Sequence, residues 1–364
     1  MGSARIVFGG LLAFLAACGG SVDSGGSNDP VALPPRPAEQ GVYAPPAARG
    51  PEHVADGLGA PSAIAMTPDA VVFTTRSTVL GGEVVATGGL FVADKRAGKP
   101  LMLTVDRQGA TYEALVTDGT TAFVATSDAR VLAVPVTGGA AQVVATLAAS
   151  AVALTANGEY VYFATNAGAL ARVAKKGGAI EPLATITGAV RGLQADDAAL
   201  YVATGAGEET AAGIVRVALD GKVTTLASSA EPCAMIRDGR SLYWTNIAAA
   251  TTSARGKGEI LRLALDGGGT AATVASGSFS ACAIAADQDS LYFATTLPNA
   301  LPVRGNGSGT TSASGLGLMR APIAGGEPVA VAQASRALAQ PGAVAVDDTH
   351  LYWLTETAVL RLRK

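Results

Sequence analysis

At 364 residues, 49% hydrophobic and 15% charged, the chain is long enough to bury one or two cores. A formal net charge of −3, with no long run of either sign, excludes the clustered Lys and Arg that a nucleic-acid surface needs. Aromatics are only 5%, so the core must be built mostly from Val, Ala, Leu and Ile, and 45 glycines suit a chain with many tight turns.

The first predicted element is a targeting segment, residues 1–17. Arg5 is a minimal basic region, and the apolar stretch Ile6–Leu15 is too short to span a bilayer, which takes roughly 20 helical residues. The stretch ends in Leu15-Ala16-Ala17-Cys18, which resembles the bacterial lipobox. That resemblance implies cleavage before Cys18, lipid modification of the cysteine, and anchorage in the bacterial cell envelope. Gly19 in place of Asp after the cysteine implies sorting to the outer membrane where a cell has two. Ordinary secretory cleavage near Ala17 is the other reading. N-myristoylation is excluded, because Ile6 stands where Ser or Thr is needed after Gly2. Residues 18–50 are Gly/Ser-rich and then Pro-rich, with little apolar surface to bury, and predict a disordered tether.

Residues 51–364 hold a repeat. PCAMIRDGRSLYWTN, GEILRLALDGGG and TAATVASG form one copy, from Pro232; relatives include PGAVAVDDTHLYWLT, ACAIAADQDSLYFAT and ALTANGEYVYFATN. Each copy reads as four short strands separated by tight turns such as Asp238-Gly239 and Asp266-Gly267. The second strand carries an anchor at Val72, Phe123, Tyr162, Tyr201, Tyr243, Tyr292 and Tyr352, near the ~40–50-residue period of four-stranded propeller blades. The last copy stops after its third strand, and Pro51–Ala55 resembles the missing piece. The expected fold is therefore all-β: a seven-bladed β-propeller of four-stranded antiparallel blades, its last blade closed by the N-terminal strand.

Leu242-Tyr243-Trp244-Thr245-Asn246, with Ile260, Arg262 and Leu265-Asp266-Gly267 downstream, resembles the YWTD propellers of lipoprotein receptors over most of residues 58–364. Two departures stand out: that family has six blades, and its Asp after Tyr-Trp-Thr is replaced here by Thr75, Thr126, Thr165, Thr204, Asn246, Thr295 and Thr355. The resemblance carries the fold and not receptor function.

No catalytic residue is expected. His53 and His350 fall in different blades and read as solvated strand and turn positions, so no metal site or cofactor is expected. The acids Asp69, Asp118, Asp196, Asp238, Asp287 and Asp347 recur at the first turn, where they bond their own backbone rather than form a calcium ring. The Thr/Asn series after the second strand reads as side chains that bond nearby backbone and link blades. Gly305, Gly307 and Gly309 lie between strands, without the helix a dinucleotide loop needs. Cys233 and Cys282 occupy equivalent places on adjacent innermost strands, five residues before the turn acid; in an oxidising compartment they predict a disulfide, if their Cα atoms come within ~7 Å. The alternative is a pair of buried small residues, with Ala or Gly filling the position elsewhere.

Connections between second and third strands are minimal in blades two, three and seven. They are long in residues 76–88, 205–213, 247–258 and 297–317, all on one face beside the channel. They place Arg76, Glu208, Glu209, Arg255, Lys257 and Arg304 on a binding rim. The expected function is a membrane-anchored, non-catalytic propeller that binds a protein, peptide or glycan through these loops. An envelope-assembly scaffold and a metal-dependent lactonase-like or quinone-dependent enzyme are the alternatives.

Overall fold

The computed structural model describes residues 50–364 apart from 81–82, 87, 97, 106–108, 208–210, 230, 248–257, 267–268, 278, 297–315 and 334–342. Every regular element among the described residues is a β-strand, and the strands form seven antiparallel sheets. Strands a to d run from the ring's centre outward. Blade one has Gly59–Met66, Ala70–Leu80, Gly89–Asp94 and Leu101–Val105; blade two has Tyr112–Thr117, Thr121–Thr126, Arg130–Pro135 and Gln142–Thr146. Blade three has Ala151–Ala156, Tyr160–Thr165, Ala169–Ala174 and Glu181–Thr185; blade four has Val190–Ala195, Ala199–Thr204, Gly213–Ala218 and Val223–Ser228. Blade five has Pro232–Asp238, Ser241–Asn246, Gly258–Ala264 and Ala272–Gly277; blade six has Ser280–Ala286, Ser290–Thr296, Leu316–Pro322 and Val329–Gln333. Blade seven takes strands a to c from Val344–Val346, His350–Leu354 and Val359–Arg363, and strand d from Glu52–Ala55 at the other end of the domain.

The b strands explain the ring. Strands such as ALYVAT and SLYWTN are buried at every position because each blade is covered on both faces by its neighbours. With a side-chain period of two, Leu200 and Val202 pack toward Tyr162 and Leu170 of blade three, while Tyr201 and Ala203 pack toward Leu242 and Trp244 of blade five. The core is thus divided among the seams, with one apolar cluster between each pair of adjacent blades. Each fully buried large apolar side chain contributes about 1.5–3 kcal/mol. All seven anchor residues, from Val72 to Tyr352, are buried.

The tight turns follow the glycines where left-handed backbone is needed: in Lys176-Gly177-Gly178, φ is 83° and then 136°. The c–d ladder of each blade contains a register shift, for example between Ile214 and Val215 and between Leu318 and Met319, which interrupts the outer edge that a second chain would otherwise extend.

Two expectations are corrected. Residues 76–88 are not an irregular loop. Strand b of blade one continues to Leu80 and folds back as a hairpin through Glu83–Ala86, with Thr78 opposite Ala86 and Leu80 opposite Glu83. Two apolar, β-branched runs around Gly81-Gly82 are a two-residue hairpin signal. In addition, the turn residue of blade one is Thr67, not Asp69. The amide of Thr67 donates to the Ala70 carbonyl and its hydroxyl accepts the Ala70 amide, both at 2.9 Å, with Pro68 presetting the turn.

Candidate functional site

Strand a of each blade pairs with strand b on one edge only, and its other edge borders the centre of the ring. At the start of strand a the ladder slips by one residue: between Pro61 and Ala63, Tyr112 and Ala114, Ala151 and Ala153, Val190 and Gly192, Pro232 and Ala234, and Ala281 and Ala283. The skipped residues are Ser62, Glu113, Val152, Arg191, Cys233 and Cys282. A bulge releases its side chain from the alternating pleat. Glu113, Val152, Arg191 and Cys282 are exposed, and Ser62 and Cys233 are half-buried. Each bulge lies opposite the end of strand b, so the set surrounds the channel mouth on the face that carries the b–c connections.

The mouth is chemically uneven. The Ser62 hydroxyl lies 3.0 Å from that of Thr74, and Glu113 accepts a short bond from the Thr111 hydroxyl. Val152 is 42% exposed, an apolar residue between an acid and a base. The Arg191 guanidinium crosses the seam to Glu231 at 3.7 Å. Cys233 and Cys282 are joined as a disulfide across the seam of blades five and six, with Cα atoms 5.0 Å apart. The bulge position is therefore not a small-residue site: Ser62, Glu113, Val152 and Arg191 occupy it elsewhere. Each lies five residues before the turn residue of its blade, a spacing the sequence contains but which shows as a ring only when the bulges are seen.

Of the predicted rim, Arg76 is exposed near the end of the regular b strand of blade one. Glu208, Glu209, Arg255, Lys257, Arg304 and the lipidation residue Cys18 lie outside the described residues, as do Gly305, Gly307 and Gly309. The buried Thr/Asn series mostly fastens the b–c turn inside its own blade. Thr165 and Thr355 accept the amides of Ala169 and Ala358 at 3.1 and 3.0 Å, and Thr204 donates to the Gly213 carbonyl at 3.2 Å. A link between blades occurs at Asn246, to a side chain and not to the expected backbone group: its carbonyl oxygen accepts from the Ser229 hydroxyl of blade four at 2.6 Å, and the same hydroxyl accepts from the Trp244 indole at 3.0 Å. The Thr75 hydroxyl is buried without a hydrogen-bond partner among the described residues, at the point where blade one departs into its hairpin.

The opposite face, of a–b and c–d turns, shows what the recurring acids do. One oxygen of Asp347 accepts the amides of Thr349 and His350 at 2.9 and 2.8 Å; the other accepts the Tyr352 hydroxyl at 3.0 Å and pairs with Lys95 of blade one at 3.1 Å. Asp287 repeats this with Ser290, Tyr292 and, from blade seven, Lys364 at 2.6 Å. Asp118 uses Thr120, Thr121 and Lys175 of blade three at 3.0 Å, the lysine lying over the Phe123 ring. Asp196 accepts the Tyr201 hydroxyl at 2.9 Å and faces Arg237 at 3.7 Å. Burial alone raises a carboxyl, but at Asp118 the Lys175 ammonium and the turn amides outweigh it and hold the group at about 2. The same balance lowers Asp287 and takes Asp347 well below the ordinary carboxylate range, while burial and the Asp347 carboxylate push the Tyr352 phenol up.

At the closing seam, Asp69, Asp94, Lys95, Asp347, His350 and Arg361 are among the residues that line a cavity of about 500 Å³ on this second face. His350 contacts Thr349 and the Tyr352 ring, and the exposed His53 contacts Asp56. No group of three or more potential metal ligands occurs among the described residues.

No family model matches the chain, and no curated protein matches it. Solved structures do. One described as the mitotic checkpoint complex aligns with a TM-score of 0.60 and 12% identity, covering 96% of this chain and 99% of that one. YCF48 bound to D1 peptide aligns at 0.59 and 12%, over 86% and 95%. The computationally designed Ika8 protein aligns at 0.53 and 12%, over 86% and 100%. Likeness at such identities is likeness of fold, and the fold is a seven-bladed β-propeller.

Proposed function

We propose that this is an exported, lipid-anchored binding propeller that captures a protein or peptide on the b–c face, over the channel mouth. One observation carries the reading: that face is lopsided. Blades two, three and seven end in tight turns. Blade one extends a hairpin, and the chain is long between strands b and c of blades four to six, whose strands a carry Arg191 and the disulfide. Loops of unequal length on a rigid scaffold suit recognition of an irregular surface. YCF48, a neighbour in fold, has been solved with a peptide bound, which supports a peptide or protein over a glycan. The YWTD-like strings and the lipobox-like Leu15-Ala16-Ala17-Cys18 support an address outside the cytoplasm, in the outer membrane where there is one.

Replacing residues 248–257 and 298–315 with tight turns is expected to leave thermal unfolding unchanged and to abolish cross-linking to partners in solubilised membranes. Capture of the same partners with equal affinity would move the site to the channel or the opposite face. Cys18→Ala is expected to release the protein from membranes, since acyl chains hold it by roughly 0.8 kcal/mol per buried CH₂. A variant still sedimenting with membranes after a high-salt wash would remove the lipid anchor from the proposal.

A further inference from the structure

The disulfide does not sit where a purely structural bridge is expected. Cys282 is exposed and Cys233 half-buried, both on bulges that turn toward the channel mouth. Accessible disulfides are the ones that exchange with thiols; buried ones resist. The two sulfurs are also unequal. An incoming thiolate reaches the exposed Cys282 first. Cys233 is the less exposed residue, and Arg191 is the cation at the same bulge position on the neighbouring innermost strand, related to Cys233 as Cys233 is to Cys282. Gly192 packs against Met235, and the guanidinium reaches across to Glu231, two residues before Cys233. A guanidinium near a leaving sulfur stabilises the negative charge that develops on it.

We propose that the Cys233–Cys282 bridge is a thiol-exchange site that takes a low-molecular-weight thiol at the channel mouth. The thiolate attacks Sγ of Cys282, the Cys233–Cys282 bond breaks, and a mixed disulfide forms on Cys282. The electron pair leaves with Cys233, which takes up the proton lost by the incoming thiol. The incoming thiol is oxidised to the mixed disulfide and Cys233 is reduced, so no further oxidant is required. The Cys233 thiol can later reverse the step and expel the adduct. Opening the bridge leaves the fold standing, because the seam of blades five and six is also held by Tyr243, Ile260, Phe279 and Phe293. Exchange would therefore release one clamp between blades five and six without unfolding the ring.

The test uses the full-length protein and glutathione as the probe. Native protein is incubated with graded glutathione, quenched with iodoacetamide and mapped by mass spectrometry, with circular dichroism recorded in parallel. The expected result is a glutathione adduct on Cys282, alkylation of Cys233, and an unchanged spectrum. Arg191→Gln is expected to slow exchange several-fold, and Glu231→Gln, which frees the guanidinium, to speed it, both without change in the unfolding midpoint. No adduct below the denaturant concentration that unfolds the chain would overturn the proposal, as would adducts predominantly on Cys233. Equal rates in wild type and both charge variants would remove the role given to Arg191. Loss of exchange leaves the binding reading of the b–c face untouched, since that is tested by partner capture.

Discussion

A chain that begins at residue 58 is expected to lose several kcal/mol of stability, while one lacking only residues 19–45 unfolds with the full-length protein. The closing strand is small but concentrated. Glu52, His53 and Ala55 pair with Arg361, Leu360 and Val359, and the Leu58 amide donates to the Thr357 carbonyl at 2.9 Å. Val54 and Ala55 are 2% and 3% exposed, packed among Val71, Phe73, Tyr352 and Val359 of the closing seam. Removing Val54 forfeits its burial, about 1.5–3 kcal/mol, and opens the seam cluster to water. Arg361 suffers as well: its side chain is 14% exposed, and its guanidinium holds Glu52 through two bonds of 2.9 and 2.6 Å. Without the carboxylate a largely buried cation keeps the Lys95 carbonyl but loses its counter-charge, the costly way to break an ion pair. Against a total stability of about 5–15 kcal/mol this is a large fraction. Strand Val359–Arg363 would also become an open edge, so self-association should accompany the loss. Urea midpoints for the two truncations decide it, and equal midpoints would mean that the ring closes without its N-terminal strand.

The closure was legible because an incomplete last repeat and a matching N-terminal fragment are both visible in the chain. The blade count was legible because the buried b strand keeps its aromatic or apolar anchor at each repeat. Alignment by residue type failed at blade one, where Asp69 stands two places past the true turn residue. Thr67 does the same work with a hydroxyl, and a search for acids passes over it. The hairpin at Glu83–Ala86 was written in two apolar, β-branched runs around Gly81-Gly82, but the expectation of a long loop over residues 76–88 hid it. The ring of bulges was the larger omission. Side-chain types at Ser62, Glu113, Val152 and Arg191 share nothing, so only backbone register reveals that they occupy one position. Cys233 and Cys282 could be placed together because they share both chemistry and spacing.

Acid should dismantle the second face at three seams together, and this is the other large effect expected. Asp118, Asp287 and Asp347 each receive a lysine from the next blade, Lys175, Lys364 and Lys95. In the other blades the lysine's position is apolar, with Val136 beyond Thr67, Leu219 beyond Asn157, Leu265 beyond Asp196 and Ile323 beyond Asp238. All three carboxyls titrate below their unfolded value, so the stability they contribute is present above about pH 4 and is lost as pH falls through the folded value. For Asp118 that interval runs from the ordinary 3.8 to about 2 and corresponds to about 1–2 kcal/mol. Its side chain is 24% exposed, so solvent screens only part of the pairing. Asp287 and Asp347 shift in the same direction, so their seams add to the loss. The urea midpoint is expected to hold from pH 7 to 5 and to fall steeply below 4. Lys175→Met should lower the unfolding free energy at pH 7 by about 1 kcal/mol and make the acid limb shallower, because Asp118 then titrates closer to its unfolded value. A midpoint that stays flat down to pH 2.5, or a Lys175→Met variant with an unaltered acid limb, would show that these lysines do not stabilise the seams they cross.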